Sequence, residues 1–148
     1  MMNEKIHEFF SQYEQRFTEA LAGKDDVEAT AAAFASSFLE ASPAGVQCGE
    51  NNEQFRNMIP KGNEMYRRSG MVSMKVHSLD ITPLDQLHYM VKVHWNSVYR
   101  KKDGSDEPIN FEVIYFLQHL KDELKIFAYI AGDEQKVLQE HGIETPKE

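Results

Sequence analysis

Six histidines, one cysteine and a series of aromatic residues at strand spacing are the side chains whose types could do chemistry. His88 and His94 share a strand face but stand six residues apart, about 20 Å along an extended chain, so they cannot share an ion. His77 and His88 as diagonal neighbours, or His94 beside Glu112, would bring together only two ligands from different strands. No HxxxH or CxxC spacing supports a site, so no metal is expected. Cys48 lacks a local activating motif and reads as structural. There is no glycine-rich phosphate loop and no nucleophile elbow, and no cofactor is expected. Alternation puts Tyr89, Trp95, Tyr115 and His119 on one face. That set forms an aromatic lining with a few polar tips, which suits a flat apolar ligand and equally suits a filled core. Asp80 falls on the same parity of its own strand. An imidazole or carboxyl in apolar surroundings has a shifted pKa, the property that proton transfer beside a carbonyl needs.

The elements that must position these groups divide the chain in two. Ile6, Phe9, Phe10, Tyr13, Phe17, Ala20 and Leu21 recur at three and four residues, one face of a helix ending at Gly23. Asp25 with Glu28 resembles a capping box and predicts a second helix carrying Val27, Ala31, Phe34 and Phe38 until Ser42-Pro43-Ala44-Gly45 breaks it. Val46-Gln47-Cys48 reads as a short strand. A third helix is predicted from about Asn52 to Ser69, with a kink or break at Pro60 and Gly62. Beyond Gly70 the period becomes two, and strands are predicted at 71–81, 86–100, 108–120 and 123–132. Asp103-Gly104 marks one hairpin between them. A short helix closes the chain from Asp133 to His141.

Short turns fix the expected register. One face collects Val72, Met74 and Val76, then Leu87 through Trp95, Phe111 through Leu117, and Leu124, Ile126, Ala128 and Ile130. It should pack on the helices. The other face is half apolar, with Ile114, Phe116, Phe127 and Tyr129 beside His94 and Glu112. Such a face reads as a homodimer interface, or as a surface covered by the C-terminal helix.

The length of 148 residues predicts a single domain, 1–148, able to bury a core without disulfide or metal. The net charge of −8 disfavours nucleic-acid binding. Arg67-Arg68 and Arg100-Lys101-Lys102 are too short to reverse it. No apolar run reaches the ~18 residues of a membrane span. The first residues do not read as a secretory signal, and a single cysteine suits a reducing, cytoplasmic setting.

Two helices, a short strand, a third helix and a four-stranded meander resemble the nuclear-transport-factor-2-like, or SnoaL-like, superfamily. Phe9-Phe10 to Phe17, Gly23-Lys24-Asp25, Val93-His94-Trp95, Asp103-Gly104 before Ile109-Asn110-Phe111-Glu112, and Ala131-Gly132-Asp133 carry the likeness. The resemblance implies an α+β cone: a curved antiparallel sheet wrapped around N-terminal helices, with an interior pocket and frequent dimers through the outer sheet face. Here the pocket would be lined by Tyr13, Phe17, Phe34, Phe38, Tyr66, Tyr89, Trp95, Phe111 and Tyr115. It implies no single activity. Its enzymes use a buried acid or base with tyrosine donors. Tyr13, His119 and Asp80 are the candidates for those roles, because Glu40 falls off the Phe34–Phe38 face of the predicted helix and no carboxylate stands among the inward strand positions. Three functions follow as expectations: a binder of a small apolar or aromatic molecule, an acid–base isomerase, cyclase or dehydratase, or a homodimeric interaction module with a filled interior.

Overall fold

The computed structural model describes residues 1–143. Among these, the chain runs α1 (Met2–Leu21), α2 (Val27–Ala32), β1 (Phe34–Ser42), β2 (Gly45–Glu50), α3 (Glu53–Arg68), β3 (Met71–Pro83), β4 (His88–Arg100), β5 (Asp106–Leu120), β6 (Glu123–Ala131) and α4 (Glu134–Glu140). The six strands form one sheet in the order β2-β1-β6-β5-β4-β3. Its pairs are antiparallel except β1 with β6. The sheet curves around the N-terminal helices as the cone predicted from the sequence.

Helix α1 lays Ile6 and Phe10, both fully buried, against the sheet. There they meet a core of Val91, Val93, Trp95, Tyr115, Leu117 and Ile126. Removing so much apolar surface from water is the main stabilising term, at about 25 cal/mol per Å². The predicted second helix is cut short. It ends at Ala32, and the segment carrying Phe34 and Phe38 is strand β1. A spacing of four lies on one face in either period, so that pair could not decide between them. Pairing decided instead. Ile126 donates its N–H to the Ala33 carbonyl at 2.8 Å, and the Asn51 amide binds the carbonyls of Ala31 and Phe34 at 2.7 and 3.1 Å.

Helix α3 is capped by Asn52, whose side chain accepts from the Phe55 N–H at 3.0 Å, and it continues through Pro60 without the predicted break. No residue of α3 is fully buried, so the carbonyl that Pro60 cannot satisfy can turn to water. Arg67, in its last turn, is more than a solvated helix end. It reaches the Ala20 carbonyl and the carboxylates of Asp25 and Glu64, tying α3 to the end of α1.

The four predicted long strands are all present, but bulges change their faces. Irregularities between Met71 and Ser73 and between Val76 and Ser78 each shift β3 by one residue. Each shift reverses the alternation beyond it. Val72 is therefore exposed, while Leu79 and Ile81 pack on the core. Glu14 of α1 accepts the Val76 N–H at 2.6 Å beside the second bulge, joining helix to sheet where the ladder is irregular. A further bulge between Phe116 and Leu117 lets Phe127 stand out of the β6 pairing. Ile126 faces inward before it and Tyr129 after it, whereas Ile130 is 44% exposed on the outer side. Leu87, placed inward by alternation, lies exposed ahead of β4.

Candidate functional site

The mouth of the cone opens between the β1–β2 turn and the start of α4. A cavity of about 770 Å³ runs inward from it. Of the predicted lining, Tyr13, Phe17, Phe34, Tyr66, Trp95, Phe111 and Tyr115 face this cavity. Phe38 and Tyr89 do not. Phe38 is buried against Phe34 and Phe55, at centroid distances of 5.1 and 4.9 Å. Tyr89 is buried beside Leu117, toward the other end of the sheet.

At the deep wall stand Trp95, Tyr13 and Tyr115. Their ring centroids lie 6.2 Å apart for Tyr13–Trp95 and 6.0 Å for Tyr13–Tyr115. Burial pushes the Tyr13 hydroxyl up to about 12, against opposing pulls from the Tyr115 hydroxyl and Arg16. Burial also holds the Tyr115 hydroxyl well above the ordinary phenol range. Both therefore remain protonated at neutral pH and serve as hydrogen-bond donors. The Trp95 indole lies close enough to the Tyr115 oxygen to offset part of that rise, without reaching hydrogen-bond geometry. Trp95 is 1% exposed, and its Nε1–H has no hydrogen-bond partner among the described residues. A buried donor left unpaired costs about 1–3 kcal/mol.

The rim carries two carboxylate–tyrosine pairs. The Tyr129 hydroxyl donates to Glu40 Oε1 at 2.7 Å, and the Tyr66 hydroxyl donates to Glu134 Oε2 at 3.3 Å. Desolvation raises the Glu134 pKa, partly offset by the Tyr66 hydrogen bond. Asp133 is used otherwise, accepting the Lys136 N–H at 3.0 Å to cap α4. Sequence reasoning missed both Glu40 and Glu134. Glu40 was hidden by the helical reading of residues 34–42. In β1 it shares parity with Phe34 and Phe38, and strand alternation there would have found it. Glu134 opens a short helix, and nothing in the local sequence says that this helix lies at a cavity mouth.

The remaining candidates are scattered. Asp80 is on the outer face, because the bulge at Val76 reverses its parity. Its carboxylate meets His94 Nε2 at 2.8 Å, and Glu112 meets the other ring nitrogen of His94 at 3.3 Å. His119 sits by the β5–β6 hairpin, 3.9 Å from Asp122, and lines no part of the cavity. Tyr13 alone of the three predicted acid–base residues lines the cavity. Of the predicted interface residues, His94, Glu112, Ile114, Phe116 and Phe127 share the outer face. Tyr129 does not. It meets the Phe34 ring edge-on and the Tyr115 ring at a tilt inside the cone, at 6.4 and 6.3 Å. Cys48 is an exposed free thiol, and no cluster of three or more metal-ligating side chains occurs among the described residues.

The model of an NTF2-like protein family, DUF6841, matches residues 3–134. The chain belongs to this NTF2-like family. Solved structures with the same fold share little sequence with this NTF2-like chain. An NTF2-like protein with a cystatin-like fold from Novosphingobium aromaticivorans aligns with TM-score 0.67 and 10% identity, covering 93% of this chain and 88% of the other. Aln2 from a Streptomyces species aligns with TM-score 0.66 and 13% identity, over 94% and 95%. An NTF2-like protein from Shewanella oneidensis aligns with TM-score 0.65 and 14% identity, over 90% and 100%. At these identities the likeness concerns the fold alone. No curated protein is similar enough to count as a relative of this NTF2-like domain. Among the described residues no helix is long and apolar enough to cross a membrane.

Proposed function

We propose that the protein binds a small aromatic molecule in the cone interior. The observation that carries this reading is the cavity of about 770 Å³ itself, walled by Tyr13, Phe34, Tyr66, Phe111 and Tyr129, with carboxylate–tyrosine pairs at its rim. Ligand pockets typically occupy about 300–1,000 Å³ and combine apolar walls with a few placed polar groups. A filled interior would leave no such volume. The test is a thermal-shift screen with flat ketones, phenols and aromatic amines. A ligand at about 100 times its Kd adds about 2.7 kcal/mol, or roughly 5–11 °C for a domain of this size. A saturable rise supports the reading, and a flat response across the three classes counts against it.

Acid–base catalysis in the same cavity is a second reading, favoured by the Glu134 carboxyl with its raised pKa beside Tyr66. It predicts turnover of a bound carbonyl compound that is lost in Glu134→Gln, whereas the binding reading predicts no turnover. We also infer that two copies pair through the outer sheet face. Ile114, Phe116 and Phe127 adjoin there, and the Phe116 and Phe127 rings lie 6.1 Å apart.

A further inference from the structure

The cavity is one-sided in charge. Among the described residues its lining includes the carboxylates of Glu40, Asp133 and Glu134, and no lysine, arginine or histidine. Arg16 acts on Tyr13 through space but is not part of the lining. The tyrosine hydrogen bonds use one oxygen of each rim carboxylate, Oε1 of Glu40 and Oε2 of Glu134. The second oxygen of each is left for another donor. Asp133 is committed to its helix cap.

Walls of aromatic rings attract a cation through their quadrupoles, most strongly where water is excluded. An anion in the same place would face like charges across a low-dielectric interior. The cavity thus selects a positive charge at its mouth and an apolar ring at depth.

Resting on the binding reading above, we propose that the ligand is a small organic cation, an aromatic amine. The ammonium lies at the mouth against Glu40 and Glu134. The ring packs between Tyr13, Tyr66 and Tyr129. Burial already raises the Glu134 pKa, and a cation beside that carboxylate compensates the burial.

Three probes that share one 4-methoxyphenylethyl frame test the charge: 4-methoxyphenethylamine, 4-methoxyphenethyl alcohol and 3-(4-methoxyphenyl)propanoate. Trp95 is the sole tryptophan, so its fluorescence reports the cavity directly. The amine is expected to bind at least tenfold more tightly than the alcohol, and the carboxylate more weakly than either. In a Glu40→Gln, Glu134→Gln double variant the advantage of the amine disappears while the affinity for the alcohol is kept. An alcohol that binds wild type as tightly as the amine overturns the cation assignment and leaves the binding reading standing. So does an amine preference that survives the double substitution. Failure of all three probes to bind at millimolar concentration overturns both.

Discussion

Tyr129 offers the sharpest test of how the cavity is built. Strict alternation along β6 puts its side chain on the outer face, whereas the bulge at Phe127 turns it inward onto Phe34, Tyr115 and Glu40. Replacing a fully buried aromatic residue by alanine costs about 3–5 kcal/mol. Tyr129 keeps part of its surface open to the cavity, so roughly half of that applies, about 2 kcal/mol. For a chain of this size each kcal/mol moves the midpoint by roughly 2–4 °C, so Tyr129→Ala should lower Tm by roughly 4–8 °C. Tyr129→Phe isolates the hydroxyl. A hydrogen bond to a charged group contributes about 1.5–3 kcal/mol when well shielded. At this half-open rim about 1 kcal/mol is expected, a fall of roughly 2–4 °C. Calorimetry at neutral pH, with Tyr129→Ala, Tyr129→Phe and the outward-facing Lys92→Ala measured together, makes the assay. A surface position should change stability by no more than about 0.5 kcal/mol. If Tyr129→Ala behaves like Lys92→Ala, the bulge is misplaced, and the Glu40–Tyr129 pair with it.

Other substitutions probe independent parts of the account. Gly70 has φ +94°, and a Cβ there would come 2.5 Å from the Arg100 carbonyl oxygen, so Gly70→Ala should cost at least about 2 kcal/mol by denaturant titration. An unchanged midpoint would refute the close approach. Glu134 has a raised folded pKa, so its contribution to stability is full in acid and declines as pH rises from the ordinary carboxylate value through the raised one. Glu134→Gln should remove that decline from the Tm–pH curve, and an identical curve would contradict it. Phe116→Glu should convert a dimer to a monomer in sedimentation if the outer face pairs two copies. A wild-type chain already monomeric at high concentration would end that proposal.

The legible parts of the sequence were those where one period holds without interruption. Helix α1 and the long strands β4 and β5 follow their patterns closely, which is why the order of elements was enough to suggest the cone. What escaped was decided by pairing. Phe34 and Phe38, four apart, satisfy both periods. Only the parallel partner β6 makes their segment a strand, and Glu40 came into the site with it. The bulges in β3 and β6 were invisible for a related reason. One inserted residue leaves the composition of a strand untouched but exchanges its faces, sending Asp80 out to His94 and Tyr129 in to Glu40. The aromatic walls contributed by Trp95, Phe111 and Tyr115 were readable because no bulge interrupts the β4–β5 pairing, and Tyr13 because α1 keeps one helical period.

The central claim is that the interior is an open site that takes an aromatic ligand. The sole tryptophan gives the protein a single indole N–H resonance, that of Trp95. Its ¹H–¹⁵N cross-peak should be followed while 4-methoxyphenethylamine is titrated in. The account predicts a peak that shifts in a saturable manner as the ligand's ring fills the cavity beside Trp95. A peak that stays in place while the ligand saturates, with shifts confined to the outer face, would contradict it.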